Sequence, residues 1–208
     1  MKEKKIIGLT GTYCAGKNHL AQILEGRGIP VLDVDLLGHR VLELEKPRII
    51  ARFGADILDS QGQIQRQRLG QKVFGRPEEL SALEAIVHPR VNQETLAWIQ
   101  EHSPGPCVIN AALLHKSSAF EHLDGIILVE APLLVRLLRA KRRDKLPWRA
   151  LIRRFLSQKH FTPQYFKGKT DIYRVENFGY LRTGQETRQN KLEHRVDEIL
   201  SLMGVSRV

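Results

Sequence analysis

Cysteine is scarce: Cys14 and Cys107 are the only two in 208 residues, and neither lies in a CxxC or Cys/His spacing. A disulfide framework is therefore excluded, and no structural zinc site is indicated. No apolar stretch approaches the roughly 20 residues that a membrane-spanning helix needs, and the basic start of the chain is followed by only a short apolar run before Thr10. The expectation is a cytoplasmic protein with no membrane partner. Internal repeats, low-complexity tracts and long tails of one charge are also missing, which removes solenoid and disordered classes. No RNP, KH or zinc signature is found, so the sequence offers no module for reading nucleic acid.

What is present is an ordinary apolar fraction, 42%, in a chain long enough for one compact α/β domain with a modest insertion. Such a chain buries about 70% of the surface it exposes when unfolded, so it needs no covalent staple. Its net charge is +10, which asks for an anionic partner: nucleic acid, a membrane surface or a small polyphosphate. The charge is uneven, since nine of the 19 residues from Arg136 to Arg154 are Lys or Arg. By itself that run is equally well a solvated helix face or an anion site.

Lys5-Ile6-Ile7-Gly8-Leu9 predicts a short buried strand, followed by a Gly-containing loop from Thr10 to Gly16. Lys17 to Glu25 then carries Leu20, Ala21, Ile23 and Leu24 at helical spacing, and Gly26 is a helix stop. A second strand, Ile29 to Leu32, runs into Asp33-Val34-Asp35. Strand, loop, helix, strand is a βαβ crossover, which implies a parallel sheet. From about Leu36 to His102 the pattern is mainly helical, with breaks expected at Gly54, Ser60-Gln61-Gly62, Gly75-Arg76-Pro77 and His88-Pro89. Strands return at Cys107–Asn110, Gly125–Val129 and Asp171–Val175, and Gln185–Met203 reads as a closing amphipathic helix.

Gly11-Thr12-Tyr13-Cys14-Ala15-Gly16-Lys17 fits the GxxxxGK core of a phosphate-binding loop and sits between a strand and a helix, where that loop must sit. There the backbone N–H groups and the helix N-terminus face a polyphosphate while Lys17 reaches its outer phosphates. Position 18 is Asn where a Ser or Thr usually ligates Mg²⁺; its amide oxygen is the remaining candidate metal ligand, directly or through water. Cys14, at a position where glycine is common, reads as a packed thiol rather than an activated one. Asp33 and Asp35 follow the second strand at the sheet edge where the loop opens. One of the two could accept the proton of an attacking hydroxyl; either is also readable as a turn or helix-cap residue, and Asp33 taken alone is more readily a cap. Arg139 and Arg142, three apart on one predicted helical face, are the candidate lid residues. The rest of the basic run reads as solvated surface.

Over nearly its whole length the sequence resembles the dephospho-CoA kinase family. The resemblance rests on Gly8 to Gly11 with Gly16-Lys17, on Val31 to Asp35, and on Phe53-Gly54 with Ile57-Leu58. It continues through Gly62, Ile64, Arg66, Leu69 and Phe74 to Leu83-Glu84-Ala85-Ile86-Val87-His88-Pro89-Arg90-Val91, and ends in Leu113-Leu114, Arg139, Arg142, Gln158, Asn177 and Gly179. The LEAIxHPxV stretch is its most specific part. The resemblance implies a three-layer P-loop kinase fold with a five-stranded parallel sheet, a helical substrate-binding insertion at about 36–104 and a lid at about 139–165. It implies ATP and Mg²⁺ as cofactors, dephospho-CoA as acceptor, and phosphorylation of the ribose 3′-hydroxyl as the reaction. Asp35 and Lys17 then match catalytic positions with Arg139 and Arg142. Residues 11–17, Asn18, His19 and Asn177 fall on the nucleotide side, and Thr10, Asp33, Asp35, Arg66 and His88 on the acceptor side. The chain departs from the family at Asn18, at Asn110-Ala111-Ala112, which replaces the acid and proline of a DxPLL segment, and at Lys116, where a glutamate is usual. Two other readings of the residues stay open: a P-loop kinase of another small acceptor, such as a nucleoside or nucleotide, and a relative that binds nucleotide or nucleic acid without turnover.

Overall fold

The structure is a computed structural model that describes residues 4–157, 170–178 and 185–205, with the backbone alone described at 116, 157 and 185–190. Its elements run β1 (Lys5–Gly11), α1 (Lys17–Glu25), β2 (Val31–Asp33), α2 (Val34–Leu44), α3 (Lys46–Phe53), α4 (Arg66–Val73) and α5 (Pro77–Glu101). They continue with β3 (Pro106–Asn110), β4 (Gly125–Glu130), α6 (Leu133–Asp144), α7 (Trp148–Ser157), β5 (Asp171–Glu176) and α8 (Gln185–Leu202). The chain divides into two compact units, Met1–Leu32 with Ile99–Val208, and Asp33–Trp98.

The first unit is built on a five-stranded sheet of order β2-β3-β1-β4-β5. β1 is central and pairs in parallel with β3, Lys5 opposite Pro106, and with β4, Ile7 opposite Gly125; β4 pairs in parallel with β5, Gly125 opposite Asp171. Both faces of β1 are covered, which is why it reads as a continuous apolar run. Ile7 and Leu9 join a core with Leu20, Ile23 and Leu24 of α1 and Val196, Ile199 and Leu200 of α8. On the other face Gly8 makes room for two buried side chains: a Cβ there would lie 2.6 Å from a Leu114 methyl and 2.8 Å from a Leu123 methyl, so both would have to shift.

The second unit has its own core of Ile49, Phe53, Ile57, Ile64 and Leu69, against which Leu83, Ile86 and Val87 of α5 pack. Leu83 and Ile86 are specified apolar positions of LEAIxHPxV, whose variable position is Val87, so that part of the motif is explained by packing alone. The break expected at His88-Pro89 does not occur, since α5 runs unbroken from Pro77 to Glu101 with Pro89 inside it. Pro89 is exposed. Its ring therefore points to solvent, and water is available to the Ala85 carbonyl that loses its helical donor.

Two other boundaries differ from expectation. The first strand extends to Gly11, which places Thr10 inside β1, and the second strand starts at Val31 and ends at Asp33. The helix then begins at Val34, so Asp35 stands in its first turn and not on a strand end.

Candidate active site

Three carboxyl ends meet where the phosphate loop leaves the sheet. Gly11 ends β1 beside Val129 of β4, and a Cβ on Gly11 would lie 2.6 Å from the Val129 carbonyl oxygen. Only glycine lets the loop turn there. Beyond β5, the Asn177 N–H donates to the Glu130 carbonyl at 2.7 Å, which fixes Asn177 next to the loop.

Within the loop the Ala15 N–H donates to Thr12 O at 2.9 Å, closing a tight turn. Cys14 takes a left-handed φ of 59° and Gly16 a φ of 102°, the second disfavoured for any residue with a Cβ. A side chain at Gly16 would also overlap the Asn177 amide. α1 has no acidic residue in its first turn and no side-chain cap, so its N-terminal N–H groups keep their positive field for an anion. Lys17 opens that helix half-buried, and Asn18 and His19 follow it exposed. The loop's donor set, its glycines and the lysine fit a polyphosphate.

The outer side of the loop is gripped by cations. Arg139 Nη1 donates to Ala15 O at 2.9 Å and Cys14 O at 3.4 Å, and its Nη2 donates to Asn177 Oδ1 at 2.9 Å. Asn177 Nδ2 donates to Ala15 O at 3.0 Å. Arg136 Nε donates to Tyr13 O at 2.9 Å, and burial pushes the Arg136 pKa down without threatening its charge. The reading of the cluster beyond Arg139 and Arg142 as solvated surface is corrected at Arg136, which is half-buried against the loop; Arg143 and Arg154 are exposed, as expected, yet also reach Tyr13. Arg142 is exposed and makes no hydrogen bond or ion pair among the described residues.

Thr10 is corrected as well. It is wholly buried, and its hydroxyl donates to Ala112 O at 3.5 Å, so it presents no surface to an acceptor. Cys14 is the packed thiol expected: burial raises its pKa, and the opposing pull of Arg143, Arg136, Arg139 and Arg154 does not reverse that.

The acceptor-side candidates stand in the second unit. Asp33 caps α2, its Oδ1 accepting from the Leu36 N–H at 3.0 Å. Asp35 is exposed one turn before His39 on the same helix face. Arg66 Nη1 lies 3.1 Å and 3.0 Å from the two ring nitrogens of His39. His88 is exposed on α5. His39 was missed by sequence reasoning, although its place four residues after Asp35 in a helix was the available signal. Arg136 was missed because one helical face was assigned to the whole function of the cluster. Asn110 is buried at the end of β3. Gln158, Gly179, the Lys116 side chain and the 158–165 part of the expected lid lie outside the described residues.

A family model for dephospho-CoA kinase matches residues 5–165. The chain belongs to the dephospho-CoA kinase family. It is 32% identical over 186 residues to a dephospho-CoA kinase of Treponema denticola, covering 85% of this chain and 83% of that one. Among solved structures, a Thermus thermophilus protein superposes with a TM-score of 0.77 at 30% identity, covering 96% of this chain and 98% of the other. A dephospho-CoA kinase from Campylobacter jejuni gives a TM-score of 0.62 at 21% identity, over 96% and 97% of the two chains, and speaks for the fold. Membership in the dephospho-CoA kinase family selects among the readings left open by the residues: this is a kinase of coenzyme A synthesis.

Proposed function

We propose that this chain transfers the γ-phosphoryl group of ATP to the ribose 3′-hydroxyl of dephospho-CoA, releasing ADP and CoA. The observation that carries the reading is the family match across residues 5–165, which includes both the loop at 11–17 and the acceptor-side segments. Phosphoryl transfer of this kind needs positioning and charge stabilisation more than covalent chemistry. The loop amides hold the phosphates, and Lys17 meets the charge that grows on the transferred group. Asp35 accepts the proton of the 3′-hydroxyl as that oxygen bonds to the γ-phosphorus. The bond from the γ-phosphorus to the bridging oxygen breaks, and the electron pair leaves with ADP.

The remaining roles follow from chemistry and placement. Mg²⁺ would neutralise the β- and γ-phosphate oxygens, with the exposed Asn18 amide as its protein ligand. His19 and Asn177 belong to the nucleotide side, Asn177 near the adenine. Arg139 supports the loop and Arg142 is free to turn toward the phosphates. Arg66 and His88, together with His39, meet the anionic acceptor, and Asp33 contributes through the turn it caps.

The test is ADP release by the purified chain with ATP and Mg²⁺, offered dephospho-CoA, adenosine and nucleoside monophosphates in parallel. Turnover with dephospho-CoA at least 100-fold above the others, in kcat/KM, is expected; that margin is about 2.7 kcal/mol of discrimination. A nucleoside or nucleotide as the best acceptor would replace this reading with the other kinase.

A further inference from the structure

One loop residue is held from two sides at once. Tyr13 has its carbonyl bonded to Arg136 Nε of α6 at 2.9 Å. Its ring meets Phe155 of α7 edge-on, centroids 5.2 Å apart and planes at 70°, and the Arg143 guanidinium sits over it at 5.1 Å. Its hydroxyl donates to Asp144 Oδ2 and accepts from Arg154 Nη1 at 3.3 Å. Asp144 is held in turn by Arg143 Nε at 2.7 Å and Arg154 Nη1 at 3.2 Å. Arg136 closes the group, its guanidinium 4.9 Å from the Phe155 ring centre.

This grip acts on the phosphate side of the loop through the peptide planes. In a trans peptide the C=O and the following N–H point in opposite directions. Binding the Tyr13 carbonyl to α6 therefore turns the Cys14 N–H away from α6, and binding the Ala15 carbonyl to Arg139 and Asn177 does the same for the Gly16 N–H. The grip also accounts for Cys14 at a φ of 59°, a conformation that costs a residue with a side chain about 1 kcal/mol or more unless its surroundings impose it.

We propose that Tyr13 and Arg136 are positioning residues for the nucleotide: α6 and α7 hold Tyr13 by carbonyl, ring and hydroxyl, and so preset the loop amides that receive the phosphates. The proposal rests on the reading that ATP occupies this loop. It makes the loop and the α6–α7 pair one mechanical piece, so that damage to the hydroxyl–carboxylate contact, remote from any phosphate, is felt as weaker nucleotide binding.

The experiment is calorimetric titration of the full chain with the β,γ-imido analogue of ATP, which needs no turnover. The variants are Tyr13→Phe, Asp144→Ala, the double variant and Arg136→Lys, with Arg149→Ala as control. The single variants are expected to weaken analogue binding about tenfold, as expected for a lost charge-assisted hydrogen bond. The double variant should be little worse than Asp144→Ala alone, because both single variants lose the same hydroxyl–carboxylate contact. KM for ATP rises in parallel while KM for dephospho-CoA stays within twofold. Arg136→Ala is titrated beside Arg136→Lys, which keeps a donor and should recover part of what the alanine variant loses. Wild-type affinity in Tyr13→Phe and Asp144→Ala overturns the proposal, as does an equal rise in both KM values, which marks a general structural effect. A wild-type chain that does not bind the analogue overturns the ATP reading, and the proposal with it, and is distinguished from failure of the proposal alone by the wild-type titration.

Discussion

Lys17 stands at the first position of α1, half-buried, where its ammonium adds to the field of the free N–H groups. Lys17→Ala should lower kcat by about 10³-fold without changing the melting temperature, because the side chain serves the transferring phosphate and not the core. Steady-state rates beside a thermal melt check both halves. Asp35→Asn should lower kcat by about 10²–10⁴-fold and leave the affinity for the ATP analogue unchanged. Asp33→Asn should cost less, since Asn caps a helix about as well as Asp. Asn18 lies one residue further along, where a longer amide replaces a compact hydroxyl. Asn18→Ser should therefore lower the Mg²⁺ concentration for half-maximal rate and leave acceptor choice alone; loss of activity would mean the amide is an adapted ligand.

The Cys107 thiol gives a pH prediction at the same scale. Burial pushes Cys107 from 9.0 up to about 11. The folded chain thus holds that proton more tightly than the unfolded chain does. The stability that follows is complete below about pH 8, and is lost as pH rises through 9 toward 11, by about 2–3 kcal/mol. Denaturant melts of wild type and Cys107→Ala across this range should converge as pH rises; parallel curves would contradict the assignment.

Among the elements, β1, β3 and β4 were legible because each is a short apolar run with Gly or polar punctuation, which burial on two sheet faces produces directly; α1 was legible from its helical spacing, and the edge strand β5 from Ile172, Tyr173 and Val175 between charged residues. Asp35 was legible as a functional acid but not as a helical one. The three residues of β2 carry too little periodicity to show that its helix starts at Val34. His88-Pro89 misled for a physical reason: a proline normally ends a helix, and nothing local reveals that this ring faces water in the middle of a 25-residue helix. The grip on Tyr13 joins residues more than 120 positions apart, a relation invisible to any local pattern. Pro89→Ala should restore the hydrogen bond to the Ala85 carbonyl and raise stability by about 1 kcal/mol. If the proline sets the aim of His88, the same change lowers kcat/KM for dephospho-CoA, and a denaturant melt with a rate measurement separates the two effects.

For the molecule as a whole, a charge of +10 on a chain that binds two phosphate-rich small molecules makes encounter electrostatic. Raising salt from about 0.05 M to 0.5 M, which shortens the screening length below 10 Å, should lower kcat/KM for dephospho-CoA several-fold while kcat holds. Duplex DNA at physiological salt should not compete. No helix among the described residues is long and apolar enough to cross a membrane. The measurement that reaches the central claim most directly is the structure of the product. The purified chain is incubated with ATP, Mg²⁺ and dephospho-CoA, and the product is isolated and characterised by mass spectrometry and phosphorus NMR. One added phosphoryl group, seen as a phosphomonoester coupled to the ribose 3′ proton and lost in Lys17→Ala, is the predicted result. ADP release with dephospho-CoA recovered unchanged, or a phosphate at any other hydroxyl, would contradict it.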